Sequence, residues 1–266
     1  MKHFTPTLPA GETSKNVRSF IKDNQDSFWN ILKPLLPFLI GFELLDVFIN
    51  HLLFPGKGKI MPLGALISSY FMAALMISWH RVVIHGADRY VPMNPFKPKR
   101  NELAFIFVPL GLIVLYMLVA SLTFFLSLKI GNAGLAFILV MILVIFATIA
   151  GLKIAFYLPA KAIDADITLS KSWRMTTGYV WKIFAASFFS WWRVMLVAFA
   201  YIMASIVVGG IVGAVMFGNS SLGFNLFLTI CMLPVVGFFS PLIGVITVTV
   251  LSNYYQWAIN NPRTVP

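Results

Sequence analysis

The chain has 266 residues, a net charge of +11 and only 11% charged residues. Its mean hydropathy is +0.86. A soluble domain carries about 25% charged residues, so a soluble globular surface is excluded. The basic excess lies in short connections rather than in a stripe on a soluble module, which argues against a nucleic-acid partner. A cytoplasmic excess of Lys and Arg serves orientation and contact with anionic lipid instead.

The first 26 residues are polar and mixed in charge, so no cleavable signal peptide is expected, and the first apolar run is expected to act as its own insertion signal. Phe20, Ile21, Phe28 and Trp29 among these polar residues predict a short interfacial helix. A hydrocarbon core about 30 Å thick needs roughly 20 apolar helical residues. Span one is predicted over 31–53 and span two over 60–81, joined by a Pro-Gly loop at 54–59. A polar connection with Pro92, Pro95 and Pro98 leads to span three over 103–128. A tight turn at 129–134 precedes span four over 135–157. The runs are continuously apolar, which predicts helices rather than the alternation of a barrel.

The connection over 159–178 is predicted to hold a short interfacial helix capped by Asp164 or Asp166. Two apolar stretches then follow that are too long for one crossing. The first, 179–217, is about 58 Å as a helix; an interfacial helix before the span, or a long kinked helix, accounts for it. The second, 222–258, carries Pro234, Gly237, Pro241 and Gly244. A broken or half-inserted first part followed by one span is the preferred reading, against a simple proline kink.

Of the 20 Lys and Arg residues, 17 fall in the termini and in the connections on one side of these spans. Both termini are therefore expected in the cytoplasm. All seven tryptophans fall on that side: Trp29, Trp79, Trp173, Trp181, Trp191, Trp192 and Trp257. The predicted fold is an all-α, polytopic membrane protein with six transmembrane helices and short interfacial helices. Residues 1–30 form a cytoplasmic tail, 31–258 a single transmembrane domain and 259–266 a second tail. The expected location is a bacterial inner membrane.

Glu43 and Asp46 are the sharpest candidates for function. They lie three residues apart on one helical face. A carboxylate at mid-span costs roughly 2.5–3.5 kcal/mol on insertion scales. Two readings stay open: cation or proton handling, or a structural pair with Lys153 or Arg193. Trp79, His80 and Arg81 are expected to close span two at the headgroups, with Trp173 and Arg174 in a similar role. An aromatic ring anchors and a guanidinium binds phosphate. His80 and His85 are five apart, a poor spacing for a shared metal, and no metal or cofactor is expected. Cys231 is the sole cysteine, so no internal disulfide is possible. Ser205, Gly209 and Gly213 in span five, and Gly64, Ser68, Ser69 and Ala73 in span two, are small residues that let helices pack closely. Whether the partner is another helix of the chain or a second copy stays open. The sequence contains no GxSxG, HExxH or Walker loop, so no enzyme is expected.

The run Phe156, Tyr157, Leu158, Pro159, Ala160, then Ala162, Ile163, Asp164, then Ser170 to Gly178 with its Ser172-Trp173-Arg174 core, and Trp181, resembles a family pattern. It is similar to the fourth-to-fifth span connection of bacterial six-span inner-membrane proteins, among them the membrane domain beside some glycerophosphodiester phosphodiesterases. The resemblance covers about 25 residues and implies architecture, not activity, because the catalytic barrel of those enzymes has no counterpart here. The expected role is a non-enzymatic, lipid-contacting organisational or accessory module. The alternative is a small-solute or lipid transporter using Glu43 and Asp46, with the broken last segment beside them. Anionic lipids are the expected partners, together with a second copy or another membrane protein.

Overall fold

The computed structural model describes residues 4–53, 63–129, 133–218 and 222–261. The 54–59 loop with Lys57 and Lys59, the start of span two, residues 130–132 of the 129–134 turn, Lys2 and Arg263 lie outside the described residues.

Every regular element among them is helical. Two short helices, α1 (Ala10–Asp23) and α2 (Gln25–Leu32), lead into α3 (Leu36–Leu53) and α4 (Leu63–His85). Then come α5 (Arg100–Lys129) and α6 (Ala133–Lys153), two short helices α7 (Tyr157–Ala162) and α8 (Leu169–Thr176), and the long α9 (Val180–Phe217). The chain closes with α10 (Leu222–Pro234), a π turn (Val235–Phe239) and α11 (Ser240–Asn260). Four stretches among the described residues are long and apolar enough to cross a membrane: Leu36–Leu53, Leu66–His85, Val180–Phe217 and Leu222–Asn260. The other two expected crossings, in α5 and α6, do not enter that count.

The last apolar stretch is not broken. It is one helical run of 39 residues with a wider turn inside it. Pro241 has no N–H to give the Gly237 carbonyl, and its ring crowds that carbonyl. The chain answers with an i→i+5 bond from the Ser240 N–H to the Val235 carbonyl. Gly237 lies in the same turn, where a side chain would meet Leu36 and Ile40 of α3. The helix α9 is likewise one unbroken helix of 38 residues.

Side-by-side contacts set the levels of these helices. α11 runs in the same direction as α4: Gly244 lies against Met76, Thr249 against Trp79, Ser252 against His80 and Gln256 against Val83. α9 runs the other way, with Tyr201 and Ser205 beside Cys231 and Lys182 beside Tyr254. The small residues expected to mediate packing do so within the chain. Gly209 and Gly213 face Cys231, Phe224 and Phe227, while Gly64 faces Asp46 and Ser68 donates to the Leu39 carbonyl.

The result is a molecule of two layers. One end gathers the C-terminal half of α4, the N-terminal part of α9 and the C-terminal half of α11. The helices α1, α2, α7 and α8 wrap it. Most buried residues lie there, including Phe28, Leu32, Trp79, Phe156, Ile183, Tyr254 and Tyr255. The other end exposes apolar side chains all round, such as Leu52, Phe146, Phe199 and Val215, the last 82% exposed. Soluble monomers rarely expose continuous apolar patches beyond a few hundred Å². That shell suits a lipid environment, and the two over-long helices reach through it into the packed layer.

The expected interfacial helix at the N-terminus is two helices, and both pack inward. Val17 and Phe20 of α1 and Phe28 and Ile31 of α2 are buried. The cap of α8 is Thr168, whose hydroxyl accepts the Lys171 N–H at 3.2 Å. Neither Asp164 nor Asp166 caps it. Asp164 stands four residues earlier in the left-handed region at φ 60°, which a capping residue does not adopt.

Candidate functional site: a basic cavity and an aromatic band

Asp46 acts on the start of α4. Its carboxylate accepts the Gly64 N–H at 2.9 Å and the Asn50 amide at 3.3 Å. The first N–H groups of a helix lack intrahelical partners, and negative charge there is favourable. Asp46 thus caps α4 from the neighbouring helix and is almost fully buried. Glu43 is placed differently. It lines a cavity of about 410 Å³ between α3, α9 and α10 whose other walls are mainly apolar, among them Ile206, Phe224, Leu228 and Met232. The two carboxylates share a helix face in sequence but not a site.

The cations expected to pair with them are engaged elsewhere. Lys153 donates to Thr177 at 3.0 Å and lies 5.7 Å from the Trp173 ring centre. Arg193 lies 5.6 Å from the Trp192 ring centre, Lys182 6.0 Å from that of Tyr179 and Lys161 5.5 Å from that of Tyr157. Four cation–π pairs therefore join the basic residues of α6, α7 and α9 to neighbouring aromatics. Trp173 is 44% exposed and Arg174 lies beside it on the same open surface.

Trp79 and His80 turn inward in this fold rather than lying at its surface. The Trp79 indole donates to Thr249 at 2.8 Å, and the His80 Nδ1 lies 2.7 Å from the Ser252 hydroxyl. Both residues are wholly buried, because α4 runs on into the packed layer instead of ending at its surface. Arg81 is also largely buried. Its Nε donates to the Ala162 carbonyl at 2.6 Å, one terminal nitrogen to the Val91 carbonyl at 3.1 Å, and the other to the Glu102 carboxylate at 2.7 Å. One cation thereby ties α4, α5, α7 and the connection between α4 and α5.

Glu102 was not among the expected site residues. Its second oxygen accepts the Lys99 N–H at 2.6 Å. An acidic residue in the first turn of a helix is the signal that marks it. Ser252 and Asn253 in α11 went unnoticed as well, since nothing in an apolar run identifies their partners.

Outward from Arg81 opens a cavity of about 520 Å³. Arg81, His85, Arg89 and Lys99 supply its basic wall, Asp164 its one acid, and Ile84, Val91 and Ile163 its apolar part. Asp164 accepts the Asn101 amide at 3.0 Å, and the Lys99 ammonium stands 3.8 Å from its other oxygen. Burial raises the neighbouring Tyr90 phenol above its usual range, so Tyr90 stays neutral and adds no anion here. Among the described residues, no group of three or more His, Cys, Asp or Glu is placed to hold a metal ion.

Compared with family models, with curated proteins and with solved structures, the chain has no significant match. The resemblance carried by residues 156–181 rests on those residues alone.

Proposed function

We propose that this chain is a non-enzymatic integral protein of a bacterial inner membrane. It crosses six times, with both termini in the cytoplasm, and contacts anionic lipid through its basic and aromatic band. Its role is organisational, or accessory to a membrane-protein partner or a second copy. The observation that carries the reading is the set of cation–π pairs at Lys153, Lys161, Lys182 and Arg193, with Trp173 and Arg174 exposed beside them. Rings with adjacent cations suit the headgroup level, where one end of a side chain is apolar and the other wet. The bias of 17 Lys and Arg residues to the same side supports the orientation.

The test is purification in mild detergent followed by mass spectrometry of retained lipid. Anionic lipid should co-purify with the wild type and fall sharply in an Arg174→Ala, Lys182→Ala, Arg193→Ala triple variant. A wild-type preparation that retains no anionic lipid counts against the reading. A C-terminal reporter active only on the outer side of the membrane would overturn the six-span orientation.

A second reading, transport of a small solute or lipid, is favoured by the Glu43 cavity between α3, α9 and α10. In proteoliposomes, proton-coupled uptake lost on Glu43→Gln would favour it over the first.

A further inference from the structure

We propose that the cavity at the C-terminal end of α4 binds a zwitterionic phosphoester of the phosphoethanolamine type. The inference deepens the lipid-contacting reading and rests on it for the headgroup as a source of the ligand.

The charges in the cavity select this chemistry. Glu102 neutralises Arg81 inside the wall. Three of the five guanidinium N–H groups of Arg81 are committed to Ala162, Val91 and Glu102, which leaves two for a guest. Arg89 and Lys99 are exposed cations at the rim, and His85 adds a ring nitrogen. These groups suit a phosphate. Asp164 does not. A simple phosphate ion would meet the Asp164 carboxylate beside Lys99, and a simple cation would meet Arg89 and Lys99. A ligand with one phosphate and one ammonium satisfies both signs of charge.

Asp164 is held for such a role. Its φ of 60° is the only positive φ at a non-glycine residue among the described residues. Strain of this kind persists where surrounding structure enforces it, and it gathers at ligand sites. The Asn101 amide fixes one carboxylate oxygen. The other is 3.8 Å from the Lys99 ammonium, too far for a hydrogen bond, so Lys99 can turn to a phosphate while the carboxylate takes an N–H donor. A primary ammonium supplies that donor and a quaternary choline does not.

The size agrees. A phosphate ion alone would leave most of 520 Å³ empty, whereas glycerophosphoethanolamine falls in the range of ordinary ligand cavities. The apolar side chains of Ile84, Val91 and Ile163 would flank the glycerol.

The test is titration calorimetry on the full chain in neutral detergent, with glycerophosphoethanolamine, glycerophosphocholine and inorganic phosphate as separate probes. Glycerophosphoethanolamine should bind about tenfold more tightly than either of the others. Arg89→Ala should weaken it by about tenfold. Asp164→Asn should erase the preference over glycerophosphocholine while leaving the unfolding temperature unchanged, since Asn also tolerates the left-handed conformation. Asp164→Gly, which relaxes the backbone, should behave alike. Equal or tighter binding of inorganic phosphate, a preference that survives Asp164→Asn, or no binding of any probe would overturn the proposal. Nanodiscs of phosphatidylethanolamine separate the sources. Competition by them identifies a membrane headgroup; binding of the soluble probe without competition identifies a water-borne phosphoester, and both outcomes support the assigned chemistry. Lipid retention in the mass-spectrometric assay reads the band around Arg174 and Arg193, so that assay and this titration can fail independently.

Discussion

The side-chain amide of Asn253 holds the backbone of Thr7 at both of its polar groups. Its Oδ1 accepts the Thr7 N–H at 2.8 Å, and its Nδ2 donates to the Thr7 carbonyl at 2.8 Å. The neighbouring Tyr254 hydroxyl reaches the Leu8 carbonyl at 3.2 Å. The segment before α1 is thus fastened to the last helix, 246 residues away in sequence. Asn253 is completely buried. Replacing it by Leu keeps the volume but strands the Thr7 N–H, while the Thr7 carbonyl keeps the Thr13 hydroxyl at 3.1 Å. A buried group left unsatisfied costs about 1–3 kcal/mol, so Asn253→Leu should destabilise by about 1–3 kcal/mol. Thermal unfolding in detergent reads the loss. Limited proteolysis should show earlier cleavage before Ala10.

The Arg81–Glu102 pair makes a stronger prediction. Removing one partner of a buried ion pair costs about 3–5 kcal/mol, because the other charge stays buried and uncompensated. Arg81→Leu and Glu102→Leu should each destabilise on that scale. The double variant should recover part of the loss, and a double-mutant cycle on unfolding free energies checks it. Recovery will be incomplete, since Arg81 also serves the carbonyls of Ala162 and Val91.

Two glycines in adjoining helices offer a matched pair. At Gly64 an added methyl would lie 2.5 Å from both the Asp46 Cβ and the Phe42 carbonyl oxygen. At Gly41 nothing lies within 4 Å. Gly64→Ala should separate α3 from α4 and cost about 1–3 kcal/mol, the range for overpacking. Gly41→Ala should be neutral or stabilise by up to about 1 kcal/mol, through helix propensity. Comparing the two unfolding midpoints is the measurement.

Tyr201 donates to the Cys231 carbonyl at 2.6 Å, between α9 and α10. Hydrogen bonds between membrane helices average about 0.6 kcal/mol. Tyr201→Phe should therefore shift stability much less than Asn253→Leu. A loss of similar size in both would mean that α9 and α10 depend on this bond more than their glycine packing suggests.

The helices, the over-long apolar stretches and the small-residue packing faces were legible from residue order, because periodicity and length depend on neighbours in sequence. The destination of Trp79 and His80 was not. A Trp-His-Arg triplet after an apolar run reads the same whether the helix stops at an interface or continues into a packed layer. What decides is the presence of Thr249 and Ser252 opposite, 170 and 172 residues away. Asp46 and Glu43 show the same division. Their spacing put them on one face, yet Gly64 claims one and an apolar cavity receives the other. Thr168 caps α8, whereas Asp164, four residues earlier, has a left-handed backbone that residue order does not announce.

The i→i+5 turn at Val235–Phe239 acts as a phase shifter in the final helix. Accommodating one more residue than an ordinary turn rotates all that follows by about 100° around the axis. Upstream, α10 presents the Cys231 carbonyl to Tyr201 and Ser205. Downstream, Thr249, Ser252 and Asn253 of α11 meet α4 and the N-terminal segment. A single residue of extra winding lets one continuous rod address two sets of neighbours. Deleting one residue from that turn would leave the rod intact but turn its polar contacts away from Trp79, His80 and Thr7.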